Sequence, residues 1–172
     1  MNGEEKDYHE CLSTPFETGI RNFTSVANYF LYYAPNVDSA QSTGRIVAER
    51  SDLLMATMLN QVGLTKKTKI LKKIQPNSWK FCGLNEDALD FENSCMVIDK
   101  YGTETDLQAL IRHLRNALAH GYTYIWKKKN GNYVFFMDFD PKKNRITAKI
   151  LVSMKILECW KAMIESEIAI GE

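Results

Sequence analysis

Asp106-Leu-Gln-Ala-Leu-Ile-Arg-His-Leu-Arg-Asn-Ala-Leu-Ala-His-Gly-Tyr122 is the stretch from which the fold is read. Leu107, Leu110, Ile111, Leu114, Ala117 and Leu118 recur at helical spacing and lay one apolar stripe along an amphipathic α-helix. Thr105 or Asp106 caps its start, and Gly121 supplies a residue just past its end that takes positive φ without a Cβ penalty. The spacing therefore predicts a helix over residues 106–120. At about 100° per residue, Asn116, His120 and His113 fall within an arc of about 60° opposite the stripe, Arg112 flanks that arc, and Arg115 lies about 140° from His120. His120 ends the helix beside a glycine, where its imidazole is open to a groove.

Beyond this helix, residues 122–128 alternate aromatic and polar, Asn130-Gly131 is a tight-turn pair, and residues 133–140 are strand-like, so a β-hairpin is expected. Pro141-Lys-Lys-Asn144 turns the chain. Residues 146–168 read as a last helix with Ile150, Met154, Leu157, Trp160, Ile164 and Ile168 inward. Upstream, residues 85–100 read as a helix. Its carboxylates Asp87, Asp90, Glu92 and Asp99 spread round the wheel and read as surface charge, not as the one-face cluster a metal-dependent nuclease needs. Residues 75–85 read as a loop holding one buried aromatic, Trp79. Residues 65–74 form a short basic helix or turn, and residues 44–62 a helix apolar over a wide arc and hence central. Ser13-Thr-Pro-Phe-Glu17 is a start signal for a helix reaching Tyr33, where Ala34-Pro35-Asn36 stops it. Tyr29, Tyr32 and Tyr33 give that helix an aromatic end, read as core or dimer packing rather than base stacking. The expected fold class is mainly α: one domain over residues 1–172, a bundle of four to five helices with a β-hairpin inserted after the 106–120 helix, and residues 1–13 as a loosely attached lead.

Composition narrows the function. A chain of 172 residues, 45% apolar and 25% charged, suits one domain with a proper core. Lys plus Arg number 22 against 21 for Asp plus Glu, so the net charge near +1 leaves no global nucleic-acid footprint. RNA contact would have to come from local patches. Lys66, Lys67, Lys69, Lys72 and Lys73 form one, and Lys127, Lys128 and Lys129 a second. No apolar run reaches the roughly 18 residues of a membrane span, and the polar N-terminus is not a signal peptide, so the cytoplasm is expected. Cys11, Cys82, Cys95 and Cys159 lack CxxC spacing; free thiols are expected, with no metal, disulfide or cofactor.

Arg115-Asn116-Ala-Leu-Ala-His120 reads R-N-x-x-x-H. At the C-terminal end of an amphipathic helix and followed by glycine, it resembles the signature of the HEPN superfamily, an Arg followed after about four to six residues by His, often with a polar residue directly after the Arg. The resemblance is carried by residues 112–122; elsewhere only a general layout of helices corresponds. It implies a small helical-bundle protein of a kind that includes metal-independent ribonucleases of toxin–antitoxin, abortive-infection and CRISPR systems. In that chemistry the ribose 2′-OH attacks the phosphate, leaving 2′,3′-cyclic phosphate and 5′-OH ends. The resemblance then implies Arg115 as phosphate stabiliser, His120 as general acid or base, and Asn116 as the group that orients the His or holds the phosphate. Those residue types suit the task, because imidazole changes protonation near neutral pH and guanidinium is a planar two-pronged donor. Arg112, His113 and Tyr122 are accessory candidates.

Arg115 and His120 do not share a face of an ideal helix. A homodimer whose two motifs line one composite cleft answers this, and HEPN proteins commonly dimerise that way. Arg115, His120 and Tyr122 also spell R-x4-H-x-Y, similar to HEPN toxins whose nucleotidyltransferase antitoxin adenylylates that tyrosine; the hairpin after the motif departs from those compact all-helical toxins. The alternative function is a non-catalytic HEPN module that binds a protein partner or nucleotide. A plainer reading also stands, since Arg and His in the last turns of a helix complement its dipole.

Overall fold

The structure, a computed structural model, describes residues 20, 22–35, 46–75, 78, 94–128 and 131–171. In chain order these form α1 (Phe23–Asn28) running into a π-helical turn (Tyr29–Tyr33), α2 (Ala48–Gln61), a 3-10 turn (Thr65–Lys67), β1 (Thr68–Leu71), β2 (Cys95–Asp99), α3 (Asp106–Ala119), β3 (Thr123–Lys128), β4 (Gly131–Asp140), β5 (Arg145–Ser153) and α4 (Met154–Gly171). The expected lead over residues 1–13, the start signal at Ser13–Glu17, Trp79, Asp87, Asp90, Glu92, Cys11, Cys82 and Lys129 lie outside the described residues. Among the described residues no helix is long and apolar enough to cross a membrane.

The expectation of a helical bundle with one hairpin is overturned. The five strands form one mixed sheet in the order β1-β2-β5-β4-β3, with β1 and β2 parallel and the other neighbours antiparallel. The expected hairpin is there as β3 and β4, paired from Thr123↔Phe136 to Lys128↔Gly131. Three further strands stand where helix or turn was expected, each for a physical reason. All five residues of β2 are buried. A strand enclosed on both faces loses polar alternation and cannot be told from buried helix by periodicity. β5 is rich in β-branched residues, and its inward row Ala148, Ile150 and Val152 runs into Met154, Leu157 and Trp160 of α4. Ile150, Met154 and Leu157 keep helical spacing across the strand–helix junction, so the period alone misses the boundary. β1 is short and lysine-flanked, and gains strand geometry only by pairing with β2.

The sheet's inward face, carrying Met96, Ile98, Val134, Phe136, Ile150 and Val152, packs into one core with Leu107, Leu110, Ile111 and Leu114 of α3 and Leu157, Trp160 and Ile164 of α4. On the other side α3 meets α2 and the π-turn. α3 therefore lies between the sheet and a helical layer, enclosed on both sides. α2 is not central as expected: Leu54, Met55, Met58 and Leu59 are buried, but Leu53 is 70% exposed. Tyr29 is buried, whereas Tyr32 and Tyr33 are exposed. Cys95 and Cys159 carry free thiols.

Candidate functional site

Both ends of α3 are fixed by local chemistry. Thr105 caps the start: its side chain accepts from the Gln108 amide at 3.2 Å, and Gln108 Oε1 accepts from the Thr105 amide at 2.8 Å. Such a reciprocal box satisfies two orphan helix donors and stabilises by about 1 kcal/mol. Thr105 Oγ1 also lies 2.7 Å from Ser51 Oγ, which ties the cap to α2 in a buried contact. At the other end Gly121 has φ +73°, the Tyr122 amide donates to Ala117 O at 2.9 Å, and the Gly121 amide donates to Leu118 O at 3.3 Å. This double reversal closes the last carbonyls and requires the left-handed residue that glycine provides. It leaves His120 exposed at the C-cap and aims Tyr122, 36% exposed, into the start of β3.

The polar arc of α3 is closed at one end and open at the other. At His113 it faces β2 and β4 with no exposed surface, whereas Asn116 is half-buried and His120 exposed. Its Nδ1 lies 2.7 Å from Asp138 Oδ2 on β4, and its Nε2 lies 2.8 Å from the Asp99 carbonyl on β2. A carbonyl only accepts, so Nε2 carries a proton. A carboxylate accepts too, so Nδ1 carries the other. Those two acceptors favour the doubly protonated ring, an imidazolium, against Arg112 Nη1 at 3.4 Å from Nδ1. Asp138 Oδ2 also accepts from Asn116 Nδ2 at 3.2 Å. The Asp99 carboxylate takes Arg145 Nη2 at 2.8 Å and lies 3.3 Å from His113 Nε2. Arg112 grips Glu104 with Nε and Nη2 at 2.8 and 3.0 Å, donates from Nη2 to the Asp99 carbonyl at 3.2 Å, and stacks 4.3 Å from the Tyr101 ring centre. Arg112, His113 and Arg145 thus balance Asp99, Glu104 and Asp138, charge for charge. Asp99, expected as surface charge, is fully buried. The reason is its place at the end of the all-buried β2, under α3.

Burial alone would strip charge from both partners, but their hydrogen bonds outweigh it. Against desolvation, Asp138 and Asp99 hold the His113 pKa above the ordinary imidazole value. Also against desolvation, His113 and Asn116 hold the Asp138 carboxyl below the ordinary carboxylate value. The raised imidazole contributes stability that is full below the unfolded value of about 6.5 and is lost as pH rises through the folded value. The lowered carboxyl contributes stability that is full above about 3.9 and is lost as pH falls through its folded value. The pair therefore stabilises most between about pH 4 and 6.5. Urea midpoints measured across pH should fall from that window upward, and a midpoint unchanged between about pH 6 and 9 would contradict the imidazolium.

The candidate residues separate into two groups. Arg112 and His113 belong to the buried network. Arg115 and Asn116 are half-buried, and His120 is exposed. The wheel put His113 and His120 on one row; packing encloses the first and leaves the second open. The lysines separate as well. Lys66, Lys67, Lys72 and Lys73 are exposed and Lys69 half-buried around edge strand β1. The other edge is β3, whose last residues are Lys127 and Lys128. At about 4.8 Å per strand the two edges of the sheet stand about 19 Å apart.

Sequence reasoning missed Asp138. Its signal was the alternation in β4: Val134 and Phe136 face the core, and Asp138 occupies the next place on that row. A carboxylate on a core-facing row calls for a buried cation. The pairing shifts by one residue just beyond it, between Asp138 and Phe139, and Thr147 Oγ1 donates to the Asp138 carbonyl at 3.2 Å. Such irregularities re-aim side chains.

A family model described as HEPN pEK499 p136 matches residues 48–166, from the first turn of α2 into α4 and across the whole of α3. No curated protein and no solved structure matches the chain.

Proposed function

The chain belongs to the HEPN superfamily, through the family described as HEPN pEK499 p136, and from that premise we propose that it is a metal-independent endoribonuclease. The observation that carries the proposal is the division of labour between two histidines seven residues apart. His113 is locked between Asp138 and Asp99 as a structural cation, with no surface for a substrate. His120 stands exposed where α3 ends, one turn beyond the anchored Asn116. An imidazole in that position is free to take the proton of a ribose 2′-OH or give one to the leaving 5′-oxygen. Arg115, on the same last turns, supplies the cation for the developing phosphate charge. The nearby carboxylates Asp99, Asp138 and Glu104 are each met by Arg or His, so the acidic groups of this region serve the protein's own cations.

The reaction produces 2′,3′-cyclic phosphate and 5′-OH ends. A homodimer bringing Arg115 of one copy to His120 of the other completes the site, and toxin–antitoxin or anti-phage defence is the setting. An antitoxin that adenylylates the exposed Tyr122 would place anionic bulk two residues from His120 and block it. The test is cleavage of a mixed RNA pool by the purified protein in excess chelator, with product ends identified. Cleavage that persists and leaves cyclic phosphate supports the proposal. Activity that disappears with chelator points to a metal nuclease. A folded protein that binds RNA, nucleotide or a protein partner but cuts nothing points to the binding module.

A further inference from the structure

The Asn116 carboxamide has two ends, and the fold decides which one a substrate meets. Nδ2 is turned into the protein, 3.2 Å from Asp138 Oδ2. The opposite orientation would set an amide oxygen against a carboxylate, acceptor against acceptor, with no hydrogen between them. Asp138 is itself 3% exposed, and the same oxygen accepts from His113 Nδ1 at 2.7 Å, so it cannot swing away from Asn116 without uncovering a buried imidazolium. Thr147 Oγ1 holds the Asp138 backbone from β5, and Arg112 Nη1 stands 4.0 Å from Oδ2 on the α3 side. With Nδ2 inward, Asn116 Oδ1 points the other way. Asn116 is half-buried, so that end is not sealed into the core.

We infer that Asp138 is a positioning residue for the motif: it turns Asn116 so that the site receives a carboxamide oxygen, a hydrogen-bond acceptor. Oδ1 itself cannot hold a phosphate oxygen, which also only accepts. It can accept from an imidazole N–H, and the side chain at the right spacing is His120, four residues on along the same helix face. Asn116 then fixes the ring through one nitrogen and leaves the other for proton transfer. The sheet, through Asp138 and its His113 counter-charge, thereby orients His120 by way of Asn116. The kinetic consequence rests on the ribonuclease proposal; the orientation of Asn116 does not.

The test has two arms. In ¹⁵N-labelled wild-type protein, the Asn116 carboxamide is the signal pair that vanishes in Asn116→Ser. One of its two protons should be shifted downfield and slow to exchange. A pair that exchanges like an ordinary exposed asparagine overturns the inference, whether or not any variant folds. In the kinetic arm, Asn116→Ala and Asp138→Ala should each lower kcat about tenfold or more with KM changed less than about twofold. The double variant should be no slower than Asn116→Ala, and Asp138→Asn, which keeps an acceptor oxygen, should recover most of the rate. Additive losses, or no recovery by Asp138→Asn, overturn it. If the wild type cuts no RNA, the ribonuclease proposal fails and the first arm alone decides the inference.

Discussion

His120→Ala and Arg115→Ala should each reduce RNA cleavage by about 10²- to 10⁴-fold, the range for loss of a proton-transfer group or of a donor aimed at developing charge. The fold should be unaffected by the first, because His120 is exposed and the reversal that ends α3 is made by backbone groups of Ala117, Leu118, Gly121 and Tyr122. A surface change of that kind shifts stability by no more than about 0.5 kcal/mol. Circular dichroism and a urea midpoint therefore accompany the assay. If the site is shared across a two-fold axis, an equal mixture of the two inactive variants regains activity, because each mixed dimer keeps one of its two Arg115–His120 pairs intact, up to about a quarter of the wild-type rate. His120→Ala protein that cleaves as fast as wild type sinks the proposed chemistry. Inactive single variants whose mixture stays inactive sink the shared cleft and leave a site within one chain.

The largest effect on stability should come from His113→Leu. The substitution leaves Asp138 buried with its carboxylate hydrogen-bonded to Asn116 and its nearest cation, Arg112 Nη1, at 4.0 Å, and leaves the Asp99 carbonyl without its imidazole donor. Breaking a buried pair from one side costs about 3–5 kcal/mol, because the remaining charge is uncompensated. In a chain of this size that lowers the melting temperature by on the order of 10 °C. Replacing both partners, His113→Leu with Asp138→Leu, should recover part of the loss, since no orphan charge remains. His120→Leu, seven residues along, should leave the melting temperature nearly unchanged. A His113→Leu midpoint equal to wild type would mean that the buried network contributes nothing to folding.

The sequence by itself determined α3 almost to the residue, because every instruction for it is local: the apolar stripe, the Thr105–Gln108 box, the glycine at positive φ. The motif Arg115-Asn116…His120 and the hairpin after it were legible for the same reason, as was family membership. Tertiary structure decided what α3 packs against. β1 and β2 exist through pairings between residues far apart in the chain, as does the β2–β5 seam that joins them to the β4–β5 hairpin, and a central strand buried on both faces hides its period. That sheet, of which only the β3–β4 hairpin was legible, encloses the polar face of α3 at His113 and leaves it open at His120. His113 and Asp99 become a buried cation and its counter-charge, and Asp138 arrives from β4 to hold Asn116. Helical spacing shows which side chains share a face; only packing across distant strands shows whether that face meets water or another charge, and the cost of burying a charge makes that difference decide each residue's role.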